Sequence, residues 1–385
     1  MYKKPFMKNH KAKENKRKQV YDTLFLNQFN ENPYDPHMNY KFDSQFEIYY
    51  FVYNLALNSG EVPTDIHKLM GCAPGTFRSA VSDLYRDKLI RRNFSDGLHT
   101  YLLSAHGKMQ VGNSSVYILT PNTLSARKRH IRLARVNTFF EGLYISTFLN
   151  RNPEAKNIVS NPQAQRKLYF YNSYHLKKKV DYYSEKIRRA KAFGALVGKH
   201  ESFMVYYEPQ PKDFYLEEAL FRERVSNYIG ADIKKMLMVV DTLREVAVWL
   251  TCLYHSSEYF TGDNPSDLFE NVYFLAMDGN ASDNFEMLYR EHEVAEYVCD
   301  NAHQLSKFNY EHLTCDFEGE ECYFVLTLRQ LNIIYLMARC ENRPNEHFRI
   351  ITTQNLLPLL KALFKDKNVS LHTVDVKMIK RNLSV

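Results

Sequence analysis

From Ser44 to Asn58 apolar side chains recur at Phe46, Ile48, Tyr49, Val52, Leu55 and Leu57, and Gly60 follows as a stop. This spacing is close to the 3.6-residue period of a helix with one face in a core. Pro63 opens a second, shorter helix with Thr64 and Asp65 in its first turn and Ile66, Leu69 and Met70 on one face; residues 71–75 (Gly-Cys-Ala-Pro-Gly) make a turn. A third helix is predicted from about Thr76 to Lys88, with Phe77, Val81, Leu84 and Tyr85 as its apolar stripe. The period then changes: Leu89-Ile90-Arg91-Arg92 reads as a strand, Ser95-Asp96-Gly97 as a turn, and Ser115–Thr120 as the closing strand of a hairpin. Helix, short helix, turn, helix and hairpin in this order describe a winged helix-turn-helix over residues 43–122.

Residues 123–150 read as a connector helix with basic residues in its first half and aromatic ones in its second. Beyond it, residues 193–197 and 202–207 suit a hairpin, and helical text runs over 214–229 and 232–255. Further strands are expected at 271–277, 322–326, 347–352 and 369–374, interspersed with helical periodicity. Such alternation predicts a mixed α/β domain over 151–385. The expected fold class is therefore α+β, a winged helix-turn-helix followed by that domain.

Charge sharpens this picture. Of the 385 residues, 1–20 carry eight Lys or Arg against one acid, 21–180 carry twenty against twelve, and 181–385 carry twenty-three against thirty-one. The front of the chain suits a polyanion, double-stranded DNA first, and the acidic C-terminal half suits a protein partner. Residues 1–42 combine lysines with an Asn- and Pro-rich stretch, a composition expected to stay a disordered basic arm and loop. The most apolar stretch, 236–254, is interrupted by Asp241, Arg244 and Glu245, so no membrane span is expected; the basic start has no apolar signal-peptide core, so a cytoplasmic protein is expected.

On the third helix, Thr76, Arg78, Ser79, Ser82, Arg86 and Lys88 fall on the polar face that would meet base edges and phosphates in the major groove. Arg91, Arg92, His99 and Lys108 are assigned to the wing, and Arg127, Lys128, Arg129 and Arg132 to phosphate contacts from the connector helix. Residues 166–191 interleave Lys and Arg with Tyr and Phe, a mixture that can stack the bases of single-stranded DNA. A winged helix can also serve as a protein-interaction module in a larger assembly.

Catalytic chemistry is poorly represented. Tyr182-Tyr183 offers a nucleophile on DNA, but none of the fourteen histidines has another two positions away to hold a metal beside it. Asp232-Ile233-Lys234 and Asp375-Val376-Lys377 match the short element of a metal-dependent nuclease, with Glu141 or Asp181 as partner carboxylate. Cys299, His303, His312, Cys315 and Cys322 are close in sequence without the paired spacing of a zinc site, and the six cysteines show no Cys-x-x-Cys. No catalytic set, metal site or cofactor is assigned; a metal-dependent DNA-nicking enzyme is the alternative to a binding protein.

The strand Val116-Tyr117-Ile118-Leu119-Thr120-Pro121, the arginine-rich helix, the phrase Arg135-Val136-Asn137-Thr138-Phe139-Phe140 and the later text of residues 170–173 and 189–197 together resemble the replication-relaxation family of plasmid and integrative-element proteins. The resemblance covers roughly residues 44–250. It implies a winged helix, a basic helix and an α/β domain, and a DNA-binding accessory to replication or conjugative transfer of a mobile genetic element.

Overall fold

The computed structural model describes residues 12–13, 15–17, 44–110, 123–143, 145, 154–160, 168–180, 187, 189–199, 201–291, 293–294, 297, 305–309, 314–317 and 320–383. The protein is a mixture of helix and sheet, divided into two compact units interleaved in sequence. One comprises Tyr34–Tyr207 and Leu216–Ile233; the other comprises Met1–Pro33, Glu208–Tyr215 and Lys234–Val385.

The first unit opens with α1 (Gln45–Ser59), started by a capping box in which Ser44 Oγ accepts from the Glu47 amide at 3.2 Å and the Glu47 carboxylate accepts from the Ser44 amide at 3.1 Å. Its core face is Ile48, Phe51, Val52 and Leu55, all buried. After β1 (Val62–Pro63) and α2 (Ile66–Leu69) comes α3 (Pro74–Arg86). This helix starts two residues before the predicted Thr76, because proline at the first helical position lacks only an N–H that would be unpaired there anyway. Strands β2 (Ile90–Ser95) and β3 (Leu98–Leu103) form an antiparallel hairpin, with β1 on the outer edge of β3.

The hairpin closes sooner than the sequence pattern predicts: β3, not residues 115–120, pairs with β2, and 115–120 lie outside the described residues. Asp96 and Gly97 both have positive φ, 56° and 71°, the signature of a two-residue type I′ turn whose twist matches the strands it joins. Helix α4 (Ala105–Gln110) follows, then α5 (Leu124–Gly142), capped by Thr123. The rest of the unit holds α6 (Lys156–Val159), β4 (Tyr169–Asn172), α7 (Ser173–Val180), β5 (Gly194–Val197), β6 (Ser202–Tyr207) and α8 (Leu216–Ile229). Strands β4, β5 and β6 are antiparallel in that order.

The first strand of the second unit is β7 (Lys235–Val240), in a segment predicted to be helical throughout. Met236 to Val240 are buried on both faces, and an apolar run of that kind carries no alternation to separate strand from helix. Helix α9 (Leu243–Tyr254), short α10 (Ser256–Tyr259) and α11 (Pro265–Leu268) lead to β8 (Asn271–Ala276), parallel to β7. After α12 (Ala281–Tyr289), a five-stranded sheet of β9 (Leu305–Asn309), β10 (Thr314–Phe317), β11 (Glu320–Val325), β12 (Phe348–Thr353) and β13 (Val369–Val374) has the order β13-β12-β11-β10-β9. Helices α13 (Gln330–Asn342) and α14 (Leu357–Leu363) cross between its parallel strands, and α15 (Val376–Leu383) closes the described chain.

Five described residues of the basic arm depart from the expectation of disorder. Residues 12, 13 and 15–17 are helical, and Arg17 is buried in the second unit. Its guanidinium donates to both Asp213 oxygens at 3.1 and 3.0 Å and to Pro211 O at 2.8 Å, and lies 5.2 Å from the Phe260 ring centre. An arginine so paired fixes a segment that composition alone would leave solvated.

Candidate nucleic-acid interface

Helix α3 separates its residues into two faces. At about 100° per residue, Phe77, Ala80, Val81 and Leu84 share one arc, and Arg78, Ser79, Ser82 and Arg86 share the opposite one. The first four are buried and the second four lie toward solvent; Thr76 is at the margin. Tyr85 departs from its predicted core position. It is 57% exposed because its place on the wheel adjoins Arg78 rather than Leu84.

Asp83 of α3 and Asp87 just after it are drawn toward α1. Gln45 donates to Asp83 at 2.5 Å and Tyr49 to Asp87 at 2.8 Å. Burial, together with the bond to Asp87, pushes the Tyr49 hydroxyl up to about 12, so it stays a donor. Arg86 also pairs with Asp83 at 2.8 Å but stays 73% exposed, and a surface pair of this kind holds little energy against a competing phosphate. Lys88, just past the helix, has φ of 58°, a left-handed conformation that its long side chain does not favour.

The hairpin continues the exposed face. Arg92 sits opposite Tyr101 and Phe94 opposite His99, so all four side chains share one side of the ribbon. Arg92 lies 6.0 Å from the Tyr85 ring centre, and Tyr101 is 6.4 Å from Phe77, joining the ribbon to α3. Burial raises the Tyr101 hydroxyl while the positive charges of Arg92 and Arg78 oppose the rise, which places both guanidiniums in the same field. Arg91 is exposed on the other side.

Several expected contacts are not made by this face. Arg127, assigned to phosphate, is buried: it pairs with Glu61 at 2.7 Å and Asp96 at 2.8 Å and donates to Ser95 O at 3.0 Å. Glu61 also accepts from Asn93 at 3.0 Å and Thr100 at 3.3 Å, so Arg127 is a strut that ties α5 to the hairpin tip. The sequence signal was the distant Glu61, a lone acid before a two-residue strand, which nothing in the spacing connects to Arg127. Arg129 donates to Lys191 O at 3.1 Å and Ala192 O at 2.9 Å and covers the Phe193 ring, again an internal bond. Arg132 is half-buried, and Lys128 alone of the four is exposed. Lys108 belongs to α4 and is half-buried rather than on the hairpin.

In residues 166–191 two of the described aromatic rings turn inward. Phe170 and Tyr171 are buried, Phe170 lying 4.8 Å from the Phe140 ring, and Lys177 is buried with its Nζ donating to Ala190 O at 2.7 Å. Among the described residues of this stretch, the strand and helix pack Phe170 and Tyr171 on a core and leave Tyr169 and Tyr174 half-buried. Tyr182-Tyr183, Asp181, Cys299, His303 and His312 lie outside the described residues. Asp232 and Lys234 are exposed, with Lys234 turned to Glu270 at 2.7 Å; Asp375 and Lys377 are exposed as well, and Glu141 is buried. Among the described residues no three His, Cys, Asp or Glu side chains gather as a metal site, and no helix is long and apolar enough to cross a membrane. Compared with family models, curated proteins and solved structures, the chain finds no match in any of the three.

Proposed function

We propose that residues 44–110 form a winged helix-turn-helix that binds duplex DNA in a sequence-directed way, with α3 in the major groove and the β2–β3 hairpin on the neighbouring backbone. The carrying observation is the continuous exposed surface of Arg78, Ser79, Ser82 and Arg86 on α3 with Arg92 beside Tyr85, backed by the buried stripe of Phe77, Ala80, Val81 and Leu84. Arginine suits guanine edges and serine suits several bases, whereas Lys88, Arg91, Arg92 and Lys128 are placed for phosphates. Through the resemblance carried by residues 116–121 and 135–140, the protein acts as an accessory in replication or transfer of a mobile genetic element, with its acidic half toward a protein partner.

A binding competition between related duplexes tests the role of α3. Replacing Arg78 and Arg86 by alanine is expected to relax base preference, since each arginine paired with a base edge discriminates by about 1–3 kcal/mol. Unchanged preference in the double variant would remove α3 from the reading.

A further inference from the structure

At the hairpin tip Phe94 is 55% exposed, next to a turn made otherwise of polar residues. Its ring lies 4.7 Å from that of His99, the residue directly opposite on β3. The pair projects from the same side of the ribbon as Arg92, which reaches the exposed Tyr85 of α3, and as Tyr101, which is buried against Phe77. The tip itself is held firmly. The type I′ turn sets its backbone, and Arg127, anchored on Glu61, grips Asp96 and the Ser95 carbonyl. An exposed ring on a rigid support, with Arg92 on its own side of the ribbon and Arg91 on the other, has the form of an apolar wedge with cations near it for phosphates.

Resting on the reading of this face as a duplex-DNA interface, we propose that Phe94, backed by His99, is a wedge that enters the minor groove beside the segment read by α3 and parts one base step. The rigid tip lets the ring enter without a loss of loop freedom, and the unstacking bends the duplex away from the wedge. Sequence preference then extends to a position that α3 does not touch, favouring a pyrimidine–purine step because such steps open most readily.

The test uses the full-length chain and a mixed-sequence duplex with a fluorescence donor and acceptor at its ends, and a second copy with 2-aminopurine in place of successive adenines. Wild-type protein is expected to shorten the end-to-end distance, corresponding to a bend of about 20° or more, and to brighten 2-aminopurine near the wedge. Phe94→Ala is expected to keep duplex binding and lose both signals, and Phe94→Leu, which preserves an apolar tip, to keep part of the bend. Wild-type protein bound to straight, fully stacked DNA, or an alanine variant that bends it equally, overturns the wedge alone. Absence of any duplex binding by the wild type overturns the interface and the wedge with it.

Discussion

Arg127 and Lys128 are neighbours with the same charge and opposite roles. Arg127 is buried between Glu61 and Asp96, whereas Lys128 is exposed. Arg127→Ala leaves the Glu61 carboxylate buried without its partner and is expected to destabilise the first unit by about 3–5 kcal/mol. Lys128→Ala is expected to change stability by no more than about 0.5 kcal/mol. Urea unfolding of the two variants checks this, and equal midpoints would contradict the strut. One turn along, His130 is buried with Nε2 3.0 Å from the Tyr174 hydroxyl, and burial, aided by the Arg129 charge, lowers its pKa to about 4. The folded ring is therefore neutral at a pH where the unfolded one takes up a proton. Its contribution is complete above the unfolded value near 6.5 and is lost as pH falls toward 4, up to about 3 kcal/mol. Melting temperature followed between those pH values is expected to fall less steeply for His130→Gln than for the wild type; parallel curves would contradict the assignment. The exposed face of α3 was legible because helical period alone sorts Phe77, Ala80, Val81 and Leu84 from Arg78, Ser79, Ser82 and Arg86. The fate of Arg127 and Arg129 was not, since each is decided by a partner more than sixty residues away.

At the scale of elements, the hairpin is the part whose start and turn could be read and whose end could not. Asp96-Gly97 is a strong local signal for a type I′ turn, but Leu98–Leu103 lacks the clear alternation of a strand with one wet face because Thr100 to Leu103 are all buried. Gly107 shows how α4 is seated against the hairpin base: a Cβ there would stand 2.1 Å from the Leu89 carbonyl oxygen. Gly107→Ala is expected to push α4 off its seat and cost about 1–3 kcal/mol, visible in a thermal melt and in weaker hydrogen-exchange protection of residues 89 and 104–108. A fully tolerated alanine would contradict the close approach. Strand β7 reads as helix in the sequence for the opposite reason, an apolar run with no wet face at all, whereas β5, β6, β8, β11, β12 and β13 lie where β-branched and aromatic residues cluster between turn signals.

For the whole molecule, charge asymmetry is the plainest feature of the sequence, and the structure shows that part of it is used internally. Arg17 of the basic arm is committed to Asp213. Burial pushes the Asp213 carboxyl up, but the Thr261 amide and the Arg17 charge outweigh it and hold the group below its ordinary value. That stabilisation is present above the unfolded carboxylate pKa and is lost as pH falls through the folded one. Arg17→Ala is expected to destabilise the second unit by about 3–5 kcal/mol, with limited proteolysis then cutting near residue 17; protection equal to the wild type would contradict the anchor. Arg78 and Arg86 on α3 and Arg91 and Arg92 on the hairpin are exposed and make one area of the first unit basic. The central claim is that this area meets duplex DNA, and fluorescence anisotropy of the full chain on labelled duplex across a salt series tests it most directly. The predicted result is a log affinity that falls linearly with log salt by about 0.9 per phosphate neutralised, with a slope made shallower by about one to two phosphates in the Arg91→Ala, Arg92→Ala double variant. Binding that ignores salt, or a double variant with the wild-type slope, would contradict it.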